Sequence, residues 1–291
     1  MEVLNMSSCS GCSTSGSCDS SSCSSGGCSS CGSAPQKTQA QQLSNIKNVI
    51  VVMSGKGGVG KSSFASMIAI TLNKKGYKVG ILDGDITGPS IPKLFGLHGN
   101  PEMTEFGAYP LKSANGISVM SMNLLLPNDE EPVVWRGPII SGVIKQFWEE
   151  VIWGELDYLV VDLPPGTGDA QLTILQNLPV NGVYMVTSPQ DLANMIVRKG
   201  IKMVNMMDIP VLGIAENMSY LSCPDCGKKI QLFGESNIAQ TCSNYKVPLI
   251  GKFPLDPQLT QLGDAGRIEE YDGEVLQIMM ENLADFLPVQ N

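Results

Sequence analysis

"GKGGVGKS", Gly55 to Ser62, lies between the apolar run "KNVIVVMS" (47–54) and "SSFASMIAITLNKKG" (62–76), whose apolar spacing is helical and whose Gly76 suits a helix C-terminus. The octapeptide fits G-x-x-x-x-G-K-[ST] between a strand and a helix, the context that identifies a P-loop. Glycines let the backbone wrap phosphates with its N–H groups, and the helix N-terminus adds a favourable dipole. The sequence therefore predicts nucleotide binding, as ATP, by Gly55, Lys56, Gly57, Gly58, Val59, Gly60, Lys61, Ser62 and Ser63. Lys61 supplies a point charge for the phosphates, and the Ser62 hydroxyl can hold Mg²⁺.

Outward from this loop the texture repeats. Strands are expected at "KVGILD" (78–83), "DYLVVDL" (157–163), "GVYMVTS" (182–188), "PVLGIAEN" (210–217) and "PLIGKFP" (248–254). Helical patterns lie near 139–151, from about 170, over 190–205 and near 235–242, with further helices closing the chain. Apolar strands alternating with amphipathic helices imply an α/β fold, a mostly parallel twisted sheet with helices on both faces. Residues 102–135 are less regular and leave room for a short hairpin. Residues 1–45 read as a Ser/Gly/Cys-rich tail and polar linker, because they hold too little apolar surface to offset chain entropy, and 46–291 as one P-loop ATPase domain.

Composition narrows the function. A net charge of −9 in 291 residues argues against a broad basic face for nucleic acid or anionic lipid. No apolar run reaches the roughly 18 residues that span a bilayer, and the N-terminus lacks a signal core, so a cytoplasmic location is expected. In a reducing compartment nine cysteines and a single histidine point to thiolate ligation of metal rather than disulfides.

Carboxylates fall at strand ends, where ligands of open α/β sheets bind: Asp83 and Asp85 in "ILDGDITGPS", and Asp162 in "LVVDLPPGTGD". One carboxylate there can hold Mg²⁺ and another can orient the attacking water, while Asp83 reads as a brace for its loop. "PPGTGD" (164–169) sits where a loop sensing the γ-phosphate would lie. "SCPDCGKK" (222–229) carries Cys223 and Cys226, half of a four-ligand site. The folded region offers only Cys242 besides, which reads as a buried thiol, so two copies of the pair across a two-fold axis would complete the set. Four thiolates suit [4Fe-4S] or Zn²⁺ equally.

With Lys56 in place, "KGGVGK" resembles the deviant P-loop of dimeric ATPases that include the nitrogenase iron protein. The P-loop, "DGDITGPS", "WRGP" (135–138), "DLPPGTGD", "ENMSYLSCPDCGKK" and "GKFPLDP", in this order over about 46–270, resemble the Mrp family of iron-sulfur cluster carrier ATPases. That resemblance implies a homodimer in which Lys56 reaches the partner's nucleotide, Asp162 serves Mg²⁺, Asp85 positions water and Asn217 reads adenine. It also implies a labile [4Fe-4S] cluster bridged by Cys223 and Cys226 of two subunits and delivered to apo iron-sulfur proteins.

In the tail, Cys9, Cys12 and Cys18 reproduce the last two gaps of a C-x13-C-x2-C-x5-C site found in some members. The first cysteine is missing, and Cys23, Cys28 and Cys31 follow; a defined second cluster and a loose thiol-rich tail both fit. Three other readings compete: a positioning ATPase on membrane or DNA, an electron-transfer ATPase, and a zinc-stapled dimer. The residues after 268 contain no Lys or Arg, unlike a basic membrane helix, and "DLPPGTGD" lacks the cysteine of the electron-transfer class. Neither nucleic acid nor membrane is expected as a partner.

Overall fold

In a computed structural model, residues 41–85, 90–125 and 137–288 are described. In chain order the elements are β1 (Asn45–Ser54), α1 (Lys61–Lys74), β2 (Val79–Asp83), α2 (Ile91–Leu94), β3 (Glu102–Thr104), β4 (Gly107–Tyr109), β5 (Leu111–Lys112), β6 (Ser118–Ser121) and α3 (Gly137–Glu150). There follow β7 (Glu155–Asp162), α4 (Asp169–Asn177), β8 (Gly182–Thr187), α5 (Asp191–Asn205), β9 (Val211–Ser222) and β10 (Lys229–Ile230). The chain closes with α6 (Ile238–Tyr245), β11 (Leu249–Pro254), α7 (Pro257–Asp264) and α8 (Glu274–Asn282).

The main sheet runs β11-β9-β8-β1-β7-β2-β6, every neighbouring pair parallel, with β10 and β5 added antiparallel on β9 and β6. The expected mostly parallel sheet is what forms. Along β1 the side chains alternate between two cores, as strand geometry requires. Val49, Val51 and Met53 join Trp148 of α3, Ile174 of α4, Ile201 of α5 and Cys242 of α6. Ile50 and Val52 face the other way, to Phe64 of α1 and Val275 and Met279 of α8. Phe64 also meets Phe253 of β11 edge to face at 5.3 Å, locking the helix behind the P-loop to the last parallel strand.

Parallel pairing brings the carboxyl ends of the strands to one edge. Asp83 of β2 lies opposite Asp162 of β7, and Thr187 of β8 opposite Glu216 of β9. Residues far apart in the chain thus share one rim, which is where such sheets bind ligands.

Several boundaries differ from the sequence expectation. The irregular region contains the β3–β4 hairpin and also β6, a fully buried strand between β2 and β5 whose "SVMS" has no apolar run to announce it. The helix expected near 235–242 spans 238–245, because the Ser236 hydroxyl accepts from the Ile238 N–H and caps the turn ahead of it. β9 does not end at Asn217 but continues to Ser222, passing Met218 at φ 57°. The tail cysteines, the "ITGP" of "DGDITGPS" and Trp135–Arg136 of "WRGP" lie outside the described residues. Among the described residues no helix is long and apolar enough to cross a membrane.

Candidate nucleotide site and cysteine hairpin

Gly60 stands at φ 78°, ψ 28°, immediately before the first residue of α1. This left-handed turn aims the free N–H groups of the helix start back over the loop, a geometry that favours glycine. Lys61 begins the helix and is only 6% exposed. Its ammonium donates to Asp162 Oδ1 at 2.7 Å and lies 3.7 Å from Asp85 Oδ2. The Ser62 hydroxyl donates to Asp162 Oδ2 at 2.5 Å. Lys61, Ser62, Asp85 and Asp162 therefore meet at one point. Burial pushes the Asp162 carboxyl upward, opposed by the Lys61 charge and by both hydrogen bonds.

Asp83 is set deeper. It is 1% exposed and accepts from the Asp85 N–H at 3.1 Å, the Ile91 N–H at 3.3 Å and the Ser121 hydroxyl at 3.2 Å. These bonds fix both ends of the segment carrying Asp85, so Asp83 is the brace read from the sequence. Burial, reinforced by the nearby Asp162 charge, pushes its carboxyl up to about 7. The folded chain then keeps this proton between about pH 4 and 7, where an unfolded aspartate has given it up. More protons bound in the native state mean that stability falls as pH rises through that window. Asp83→Asn is expected to flatten a slope of up to about 1.4 kcal/mol per pH unit. Urea unfolding of both proteins at pH 5 and 7.5, in chelator, measures it; equal slopes would refute the assignment.

A cavity of about 240 Å³ is lined by Gly57, Gly58, Gly60, Lys61, Ser62, Ser63, Asp85 and Pro165. A second, of about 150 Å³, adjoins it through Gly60 and Ser63 and is lined by Asn217, Met218 and the "PLD" of "FPLDP", Pro254 to Asp256. The two share Gly60 and Ser63, with Lys61 and Asp85 at the first and Asn217, Asp256 and Asp264 at the second. The Asn217 amide donates to the Val59 carbonyl at 3.0 Å, which pins its side chain against the P-loop. A Cβ on Gly60 would collide with that amide. Lys56, exposed at the rim, donates to Gln190 Oε1 of the same chain at 2.8 Å.

"PPGTGD" runs past the phosphate end. Its Gly166 N–H donates to the Ser54 carbonyl, and Gln171 holds it by accepting from Gly168 and donating to the Pro164 and Pro165 carbonyls. Gln171 is not among the site residues expected from the sequence. Its signal was the N3 position of a helix, where a Gln side chain reaches back to the cap.

The cysteine pair lies at the end of β9, six residues beyond Asn217. The turn closes through Cys223 N–H to Lys228 O and Gly227 N–H to Cys223 O, with Gly227 at φ 69°. The N–H groups of Cys226 and Asp225, and the Cys226 thiol, point at Cys223 Sγ and hold its pKa below the ordinary thiol value. Backbone donors converging on one sulfur make a turn suited to a metal-bound thiolate. Among the described residues no group of three or more His, Cys, Asp or Glu could hold a metal, so one chain brings two ligands. Cys226 is exposed, and Ile230, Leu232 and Phe233, which follow it in the chain, are 43, 47 and 45% exposed. Cys242 is buried in the core of α6, where burial raises its thiol, and it approaches neither site.

Four similarities, to one family and three proteins, bear on this arrangement. Residues 45–287 match the ParA family, described as NUBPL iron-transfer P-loop NTPase. An iron-sulfur cluster carrier protein of Clostridium perfringens is 44% identical over 238 residues, 79% of this chain and 84% of that protein. A nucleotide-binding protein of Archaeoglobus fulgidus, solved in complex with ADP, superposes with a TM-score of 0.71 at 45% identity, covering 79% of this chain and 90% of that one. The cell division ATPase MinD of Pyrococcus furiosus, at 19% identity and a TM-score of 0.58 over 82% of this chain and 98% of that one, shares the fold.

Proposed function

The chain belongs to the ParA family of NUBPL-type iron-transfer P-loop NTPases, and from that premise we propose that it is an ATP-hydrolysing carrier that assembles a labile [4Fe-4S] cluster between two copies of itself and passes it to apo-proteins. The observation that carries this reading is the cysteine turn. Two thiolates per chain, followed by three exposed apolar residues, are half of a four-thiolate site on a surface suited to cover. Residues 1–45 serve as a tail and linker to the ATPase domain of 46–291 in this reading, and the protein works in the cytoplasm, where thiols stay reduced.

Each site residue then has a task. The P-loop N–H groups and Lys61 bind the phosphates, and Asn217 sits at the base end of the cleft. Ser62 and Asp162 present a hydroxyl and a carboxylate to one point, a donor set that fits Mg²⁺, which when bound would neutralise phosphate charge. Asp85, held by Asp83, orients water on the γ-phosphate. The "PPGTGD" loop, tied to Ser54 of β1, registers loss of that phosphate. Lys56 serves the partner's nucleotide after exchanging Gln190 for it.

Anaerobic reconstitution tests the assignment. About four iron and four sulfide per two chains are expected, with a [4Fe-4S] EPR signal on reduction and transfer to a generic apo-protein. The same load should persist when all six tail cysteines are replaced by serine. Zinc at the thiolates, or loss of the cluster with the tail cysteines, would overturn the dimer-bridged reading.

A further inference from the structure

The hairpin that carries the cysteines is thinly attached. Its two strands share only two register pairs, Lys229 with Ser222 and Ile230 with Leu221. One side chain from elsewhere in the fold grips both. Glu274, the first residue of α8, accepts from the Tyr220 hydroxyl at 2.8 Å and the Lys229 ammonium at 3.2 Å through Oε1, and from the Ser222 hydroxyl at 3.4 Å through Oε2. Lys229 also sits 4.1 Å above the Tyr220 ring. The carboxylate thus clasps the strand entering the cysteine turn and the strand leaving it.

The same residues touch the nucleotide cleft from behind. The Tyr220 carbonyl accepts the Leu255 N–H at 2.7 Å, and Leu255 and Asp256 line the base cavity together with Asn217 and Met218. Asp256 in turn accepts the Tyr271 hydroxyl at 2.5 Å, and that hydroxyl accepts the Val275 N–H on α8, one residue past Glu274. A closed circuit results: base cavity, Leu255–Asp256, Tyr271, the start of α8, Glu274, Tyr220, and back to the cavity wall. The cysteine turn hangs from one corner of it.

We propose that Glu274 is a positioning residue that couples occupancy of the base cavity to the conformation of the Cys223–Cys226 turn. A nucleobase entering between Asn217 and Leu255–Asp256 shifts the wall that carries Tyr220, and the Glu274 clasp turns that shift into movement of both hairpin strands. Without the clasp the outgoing strand keeps its two register pairs, the Cys223–Lys228 bond at the turn and the Lys229–Tyr220 ring contact, but loses the carboxylate that ties both strands to α8, and the turn relaxes apart from the cavity wall. The proposal rests on the carrier reading for its purpose, since it supplies the route by which nucleotide state alters how the thiolates hold their cargo.

The test needs no cluster. In reduced, metal-free protein, alkylation of Cys223 and Cys226 is followed by peptide-resolved mass spectrometry with and without saturating Mg·ADP. In the unaltered chain the rate is expected to change at least about fivefold on ADP binding, a modest coupling between sites. In Glu274→Gln the ratio should fall to near one, and Tyr220→Phe, which keeps the ring but not the donor, should give an intermediate ratio. ADP affinity in both should stay within about twofold of the unaltered protein, because neither side chain lines the base or phosphate cavity. Simple loosening of the hairpin would raise alkylation in both states and keep the ratio. An undiminished ratio in Glu274→Gln, or no response to ADP in the unaltered chain, would overturn the coupling. Either result leaves the carrier reading to its own test by iron and sulfide, and a coupled turn that holds only zinc would do the reverse.

Discussion

Cys223→Ala and Cys226→Ala proteins, reconstituted anaerobically, are expected to hold less than about a tenth of the iron and sulfide of the unaltered chain. Each substitution removes one of two ligands per subunit, and hence two of four from a bridged cluster. Three points make the loss steep. The turn is built around Cys223 Sγ, on which the Cys226 and Asp225 N–H groups converge. Among the described residues no group of three or more His, Cys, Asp or Glu offers another site. Finally, in the proposed dimer both chains carry the defect. Binding of ADP should stay within about twofold, since the cysteines line neither cavity of the cleft. A full cluster load in both single variants would remove the pair from the site.

Lys61→Ala should lower ATP hydrolysis by at least about 10²-fold, the usual cost of deleting a donor that stabilises charge developing in the reaction. It should also weaken the fold. Lys61 is the cation facing a fully buried Asp162, with the buried Asp83 nearby, and removing one partner of such a pair typically costs about 3–5 kcal/mol. The two effects are separable. Lys61→Ala combined with Asp162→Asn removes the stranded charge and should recover most of the stability while hydrolysis stays lost. Urea unfolding and phosphate release on the single and double variants measure both. A single variant as stable as the unaltered chain would show that Asp162 finds other compensation.

The phosphate end of the site was legible because its information is local. Eight consecutive residues with a strand before and a helix after specify the loop, and Asp83, Asp85 and Asp162 follow from their places at strand ends. The cysteine pair was legible as an incomplete set by counting ligands. What escaped were long-range partners. Nothing near Glu274 announces that it meets Tyr220, Ser222 and Lys229, which lie 54, 52 and 45 residues earlier. Lys56 showed its charge but not Gln190, 134 residues on. Glu216, fully buried, accepts from Ser219 and Ser236 and lies 3.8 Å from the Lys252 ammonium, all settled by tertiary packing.

Among the elements, β6 escaped for a different reason. Its Ser118 and Ser121 are buried because β2 and neighbouring loops cover them, not because the strand is apolar. The extension of β9 past Asn217 was hidden by Met218, whose positive φ breaks the regular alternation without ending the strand. The match over residues 45–287 reaches beyond the motif-bearing stretch that ends near 270, and so takes in α8 and its clasp.

Gly60 bears on any effort to redesign this site for another nucleotide. Its left-handed turn serves the phosphates, yet the space where its side chain would go is taken by the Asn217 amide. The loop and the base cavity therefore share a wall one backbone thick. Enlarging residue 60 would disturb both ends of a ligand at once, whereas Leu259 and Thr260, on the α7 side of the cavity, face only the base end. A library aimed at changed base preference has its freedom there, and leaves the phosphate grip untouched.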